Sequence, residues 1–207
     1  MLRQLLMAPL VLLAYSGYPA ALRTTNSGGR PPAAVISLRN GKNDVDLLGN
    51  RTKGEVFVAR RSNYNAHGHS SVAFYVFGKS DLGDSKGEWQ VVPFFAGPRD
   101  GESSRELIGT SEGADCILSD IRLLRHEHAP VEVVIANRAL DKSYADPAAV
   151  TFDYYTLTFN ESGAVGWPTY YFKYSRTTRA GRPYCDVNDA FQRELGLGTN
   201  GVGHGDG

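Results

Sequence analysis

The chain has 207 residues, 22 Lys plus Arg against 22 Asp plus Glu, and a formal net charge of zero. That length suits one domain or at most two, with a hydrophobic core that needs no metal staple. Neutrality without a basic block removes the electrostatic reason to bind nucleic acid or an anionic membrane.

In chain order, residues 1–20 read as a signal peptide. Arg3 supplies the positive end, Leu5 to Ala14 an apolar core, and Ala14-Tyr15-Ser16 a small-x-small cleavage site. The apolar run is short for a bilayer span, so no membrane association is expected beyond this segment. Residues 21–43 are expected to form a flexible leader, most clearly over Thr24 to Pro32. The domain proper is expected over 44–198, and the Gly-rich residues 199–207 as a disordered tail.

Eleven Tyr and nine Phe fall in short alternating runs, which favours strands. Glu55 to Arg60 sets Val56 and Val58 against Phe57, and Ser71 to Phe77 sets Val72, Phe74 and Val76 against Ala73, Tyr75 and Phe77. Further strands are expected over Glu88–Phe95, Cys116–Leu124 and Val131–Ala136. Ala149–Asn160 and Val165–Tyr174 read as two long aromatic strands joined at Asn160-Glu161-Ser162-Gly163. Pro168 would then sit at an edge or a bulge of the second. Asp186 or Asn188 can cap one helix carrying Val187, Ala190, Phe191, Glu194 and Leu195, stopped by Gly196 or Gly198. The pattern predicts an all-β, single-domain antiparallel β-sandwich, or an open barrel-like pair of sheets, with one short C-terminal helix.

Cys116 and Cys185 are the two cysteines, read first as a disulfide in an exported protein. The bond would clamp the helix onto a strand.

No Ser is followed three residues on by Lys, and neither a Lys-Thr-Gly nor a G-x-S-x-G element occurs, which argues against serine β-lactamase chemistry. His67-Gly68-His69 and His126-Glu127-His128 could each point two rings one way, but both sit in loop-like surroundings without a completing Asp-His. No metal and no cofactor is therefore expected. Asp46-Leu47-Leu48-Gly49-Asn50 resembles the start of a calcium loop, with Leu48 and Gly54 where oxygen ligands would help; a tight turn is the favoured reading, and ion binding there stays open. The densest polar constellation is Arg60, Arg61, Asn63, Asn65 and His67 at a strand end. Guanidinium forks there could hold a carboxylate, whereas the Asn and His side chains could equally brace their own loop.

Five blocks together resemble the CarG-type carbapenem self-resistance family. They are Arg60-Arg61-Ser62-Asn63-Tyr64-Asn65-Ala66-His67, Gly113-Ala114-Asp115-Cys116-Ile117-Leu118-Ser119-Asp120, Ser143-Tyr144-Ala145-Asp146, Gly166 through Tyr174, and Tyr184 through Phe191. They follow the family's order over about residues 44–197. The resemblance implies a periplasmic protein, not an enzyme, that protects a cell from a carbapenem by binding the drug or shielding its cell-wall target. It carries over no catalytic residues. Its partner would be a carbapenem-type β-lactam or a periplasmic protein, with self-association into a homo-oligomer left open. The rival readings are a metal-dependent hydrolase and an envelope binding module for another ligand or protein.

Overall fold

A computed structural model describes residues 33–65, 67–79, 87–95, 104–141, 143–199 and 201–202, all within the unit Pro31–Gly207. The signal segment lies outside these residues. Among the described residues there are twelve strands: β1 (Ala34–Ile36), β2 (Gly41–Asp44), β3 (Gly54–Arg61), β4 (His69–Lys79), β5 (Gly87–Val91), β6 (Phe94–Phe95), β7 (Ser104–Arg105), β8 (Leu107–Glu112), β9 (Ile117–His126), β10 (Ala129–Arg138), β11 (Val150–Phe159) and β12 (Tyr170–Arg179). A short helix, α1 (Val187–Ala190), runs directly into a π-helical turn, Phe191–Leu195.

The strands form one sheet that folds over on itself without closing. Its order is β2-β3-β4-β8-β9-β10-β11-β12-β6-β7. The fold-over sits at β8. One edge of β4 is shared, with His69–Ala73 pairing β8 and Tyr75–Lys79 pairing β5. One edge of β9 is shared likewise, between β8 and β1. Val56, Val58, Val72, Phe74 and Val76 from one half meet Ile121, Leu123, Val133, Ile135, Leu157 and Phe172 from the other in a single core. Each such side chain, fully buried, contributes about 1.5–3 kcal/mol before chain entropy is set against it. The segment after β5 ties the halves on their other side: Val92 N–H donates to Phe74 O (2.8 Å) and Phe172 N–H to Pro93 O (2.8 Å). Phe94 stacks on Phe172 with centroids 4.3 Å apart.

Period-two patterning explains a second core. On β10, Val131, Val133 and Ile135 face the first core, while Val134 and Ala136 face Phe152, Tyr154, Val187, Ala190 and Phe191. The helix thus covers the outer face of β9 to β11. Asp186 is its N-cap, accepting from Asn188 N–H at 2.7 Å, and Gly196 ends it in the left-handed conformation. The Cys116–Cys185 disulfide joins the chain just before β9 to the residue preceding that cap, as expected.

Beneath the helix lies a buried ion pair. Arg122 Nη1 donates to Asp120 Oδ2 (3.1 Å), and Nη2 donates to Asn188 Oδ1 (2.7 Å) and Gly198 O (3.2 Å). Asp120 Oδ1 also accepts from Ile121 N–H and Val202 N–H. Burial raises the Asp120 carboxyl above its ordinary range, and Arg122 opposes that shift without cancelling it.

Several elements differ from the sequence expectation. Strand β1 and all but the last residue of β2 fall within 21–43, where a leader was expected; Ala34–Ile36 finds the unoccupied edge of β9 at Leu123–Arg125. Val202, in the expected tail, is buried and bonded to Asp120. The hairpin after β11 does turn at Asn160–Gly163, but pairing resumes only at Tyr170, so Pro168 lies in the connection and not in the strand. There the Asn160 side chain accepts from Ala164 N–H (3.1 Å) and donates to Ala164 O (3.3 Å), stabilising a longer loop.

Candidate functional site

The expected polar loop leaves β3 at Arg61 and returns at His69 in β4, with Arg60 opposite Ser70 and Arg61 opposite His69 in the ladder. The described residues Arg60 to Asn65 and His67 are exposed. Three of its side chains are spent on the loop itself, Ser62 Oγ accepting from Tyr64 N–H (3.4 Å). Asn63 Nδ2 donates to His67 O (3.2 Å), and Asn65 Oδ1 accepts from His67 N–H (2.9 Å). Tyr64 between them is fully exposed and left-handed, with φ 56°. Arg60 reaches across to β8, where Nη2 lies 3.2 Å from Glu112 Oε2. The absent side chain of Gly68 makes room for that pair, because a Cβ there would collide with the Glu112 carboxylate. Arg61 is an exposed guanidinium at the strand's end.

A cavity of about 220 Å³ opens next to this loop, lined by Ser111, Leu118, Ser119, Asn137, Arg138, Ala139, Leu140 and Tyr144. The connection is physical: the His67 ring sits 6.0 Å from the Tyr144 ring, centroid to centroid. Ser111 pairs with His69 on one side and with Ser119 on the other, so the cavity lies at the fold-over of the sheet. Ser119 Oγ donates to Asn137 Oδ1 (2.9 Å). Asn137 Nδ2 lies 3.5 Å from Asp153 Oδ2, and Thr177 Oγ1 donates to Asp153 Oδ1 (2.5 Å). A polar row thus crosses β9, β10, β11 and β12 at the sheet's end.

Arg138 anchors the cavity wall. It is 8% exposed and donates to three carbonyls: Nη1 to Asp146 O (2.7 Å) and Cys185 O (3.4 Å), Nη2 to Ser143 O (2.9 Å). Its Nε is buried without a partner. These bonds fix the loop that presents Tyr144 and tie it to the disulfide. A buried guanidinium satisfied by neutral carbonyls leaves positive charge beside the cavity.

The structure therefore brings together His67, the Ser119 region and Tyr144, which come from three separated stretches of sequence. It does not bring in the other histidine pair. His126 ends β9 with Nε2 3.5 Å from Glu132, and His128 lies in the following turn, at the far end of that strand from Ser119. The turn at Asp46 is held by Arg51 N–H donating to Asp46 Oδ2 (2.8 Å). Among the described residues, no three His, Cys, Asp or Glu side chains are gathered to hold a metal ion. Ser111, Asn137 and Arg138 were missed from sequence. The available signal was the polar Asn-Arg pair closing the apolar run Val131–Ala136, a strand end like that of Arg60.

No curated relative matches the chain. The crystal structure of CarG superimposes with a TM-score of 0.63 at 21% identity, covering 80% of this chain and 98% of that one. At that identity the likeness speaks for the fold. The family model for carbapenem resistance protein CarG-like matches residues 38–193, which is most of the sequence, and the chain belongs to that family.

Proposed function

We propose that this protein gives carbapenem resistance by holding the intact drug, without hydrolysis, in the cavity beside the Arg60–His67 loop, and that it acts in the periplasm after export. The observation that carries the reading is the cavity of about 220 Å³ with cationic side chains beside it, Arg138 in its wall and Arg61 on the adjoining loop, Arg60 being paired with Glu112. That space is smaller than the ~300 Å³ and upward typical of drug-sized ligands, which suits a small bicycle without long substituents. A carbapenem offers a carboxylate for the guanidinium charge and a lactam carbonyl for hydroxyl or amide donors. Asn137, through its second amide hydrogen, and Tyr144 supply such donors, while Ser119 already donates to Asn137. Non-catalytic action is supported by the partner of the lining hydroxyl. Ser119 Oγ–H points to an amide oxygen, which cannot take up its proton as a base would.

The test is incubation of carbapenem with the purified protein, followed by mass spectrometry of the drug and survival assays of cells expressing the chain. Intact drug, saturable binding and raised survival are expected, with binding lost about ten- to a hundredfold in Arg61→Ala or Tyr144→Ala. Ring-opened product that accumulates with protein would overturn the reading, as would protection without any measurable drug binding. The latter outcome would favour a shielded protein target.

A further inference from the structure

A second cavity, of about 270 Å³, lies at the other end of β9, where the His126–Ala129 turn meets the loop after β2; it is lined by Asp46, Gly49, Arg51, Arg125, His126, Glu127, His128 and Ala129. Ser119 and His126 are separated by seven steps along an extended strand, about 23 Å at ~3.3 Å per residue. The two cavities are thus independent, and ligand binding at the second does not depend on the proposed carbapenem site.

Two polar atoms in the wall of this cavity are buried and have no partner: Asp46 Oδ1 and His126 Nδ1. The other carboxylate oxygen of Asp46 is already used by the Arg51 N–H. His126 Nε2 faces Glu132, 3.5 Å away, and Arg176 approaches the same carboxylate at 3.7 Å. In the tautomer that offers Glu132 a donor, the imidazole proton is on Nε2 and Nδ1 is an acceptor. Both orphans are therefore acceptors, and burying acceptors unpaired is costly. They call for a donor. Arg51 and Arg125 are exposed residues of the same wall and supply the opposite requirement, an anion.

Local conformation fits a built site. Arg51 (φ 67°) and His128 (φ 51°) are two of the three non-glycine residues with positive φ among the described residues. Gly49 lies against the Ala129 backbone so closely that no side chain would fit, and Val131 N–H donates to Leu47 O at 2.9 Å. The loop is clamped onto the hairpin in a strained shape with two polar atoms unpaired. Glu127 and His128 form the exposed side of the cavity.

We infer that the exposed Glu127–His128 turn moves aside and that the cavity then binds an α-amino-acid-type zwitterion, its ammonium donating to Asp46 and His126 and its carboxylate held by Arg51 and Arg125. Calorimetric titration of the mature protein with alanine, alanyl-alanine, methylamine and acetate tests it, with the His126 ring followed by NMR. Alanine or alanyl-alanine is expected to bind saturably and to shift the His126 resonances, and whichever binds tighter separates a free amino acid from a short peptide. Methylamine and acetate are each expected to bind at least tenfold more weakly. Asp46→Asn keeps an oxygen for the Arg51 N–H and is expected to weaken binding ten- to a hundredfold, and Arg125→Gln, an exposed change, at least fivefold. Absence of saturable zwitterion binding to the folded protein overturns the assignment. So does methylamine binding as tightly as alanine, or unchanged affinity in Arg125→Gln and Asp46→Asn together.

Discussion

Replacing Asp120 by Ala should be among the most damaging single changes in this protein. Asp120 and Arg122 are each 1% exposed, so deleting the carboxylate strands a guanidinium away from water. It also removes the acceptor for the Ile121 and Val202 N–H groups. Breaking a buried pair by removing one partner costs about 3–5 kcal/mol. For a domain of this size that lowers Tm by roughly 6–20 °C, at ~2–4 °C per kcal/mol. Removing both charges, as Asp120→Leu with Arg122→Met, should cost less than Asp120→Ala alone, because no charge is left unpaired. Some loss remains, since Asn188 Oδ1 and Gly198 O lose their donor, about 1–3 kcal/mol if either stays unsatisfied. Urea unfolding of Asp120→Ala, and of Asp120→Leu, Arg122→Met and their double variant, decides the matter. A double variant whose loss equals the sum of the two single losses would refute the argument, as would Asp120→Ala costing under about 1 kcal/mol.

Acidity adds a second reading of the same pair. The folded Asp120 carboxyl titrates above its ordinary value of 3.8, chiefly because burial disfavours the anion. Below that value both states are protonated and the contribution is fully present. As pH rises from 3.8 through the folded pKa, the unfolded chain ionises first and stability is lost. Wild-type stability relative to Asp120→Asn should therefore fall over that window and then level off. Parallel curves through the acid range would show that Asp120 is not perturbed in this sense.

Four further outcomes are expected. Cys116→Ser with Cys185→Ser should destabilise by up to about 4 kcal/mol, read by urea unfolding, and denatured wild-type protein should show no free thiol until reductant is added. Phe94→Ala should cost about 3–5 kcal/mol, because Phe94 is fully buried and stacked on Phe172; a melting curve like wild type would contradict that packing. Glu194 accepts from Tyr184 Oη (2.5 Å) and Gly181 N–H, which depresses its pKa below 4.5, so its contribution is present above that value and is lost as pH falls; Glu194→Gln should flatten this acid limb in a pH series of melts. Intact-mass analysis of exported protein should find cleavage between Ser16 and Leu22, and a full-length product confined to the cytosol would refute export.

Strand patterning was legible wherever one face of a strand is wet. Val56 and Val58 are fully buried and Phe57 is half exposed, as their alternation implied. The same rule could not see β8, Leu107–Glu112, whose small residues Gly109, Thr110 and Ser111 carry little hydrophobic contrast. It also ended β12 too early. Ser175 to Arg179 is polar because that half faces solvent, yet it pairs with Thr151–Tyr154 across a bulge. Short strands such as β1 and β7 have no signature of their own, since what specifies them is an edge left open by another strand.

The candidate site shows the same division between local and non-local information. Asn63 and Asn65 could be read as loop-bracing because an Asx side chain bonds its own neighbourhood, and both do so. Arg60 could be recognised as a guanidinium at a strand end, but its commitment to Glu112 depends on β8 arriving opposite Ser70 and on Gly68 making space. Tyr144 is placed by Arg138, which grips carbonyls on both sides of it and a third beyond the disulfide. None of those partners is fixed by spacing along the chain. The proposed carboxylate binding therefore rests on the assembled end of the sheet and not on the loop alone. A variant that loosens the Arg138 brace should weaken drug binding even with every residue from Arg60 to His67 intact.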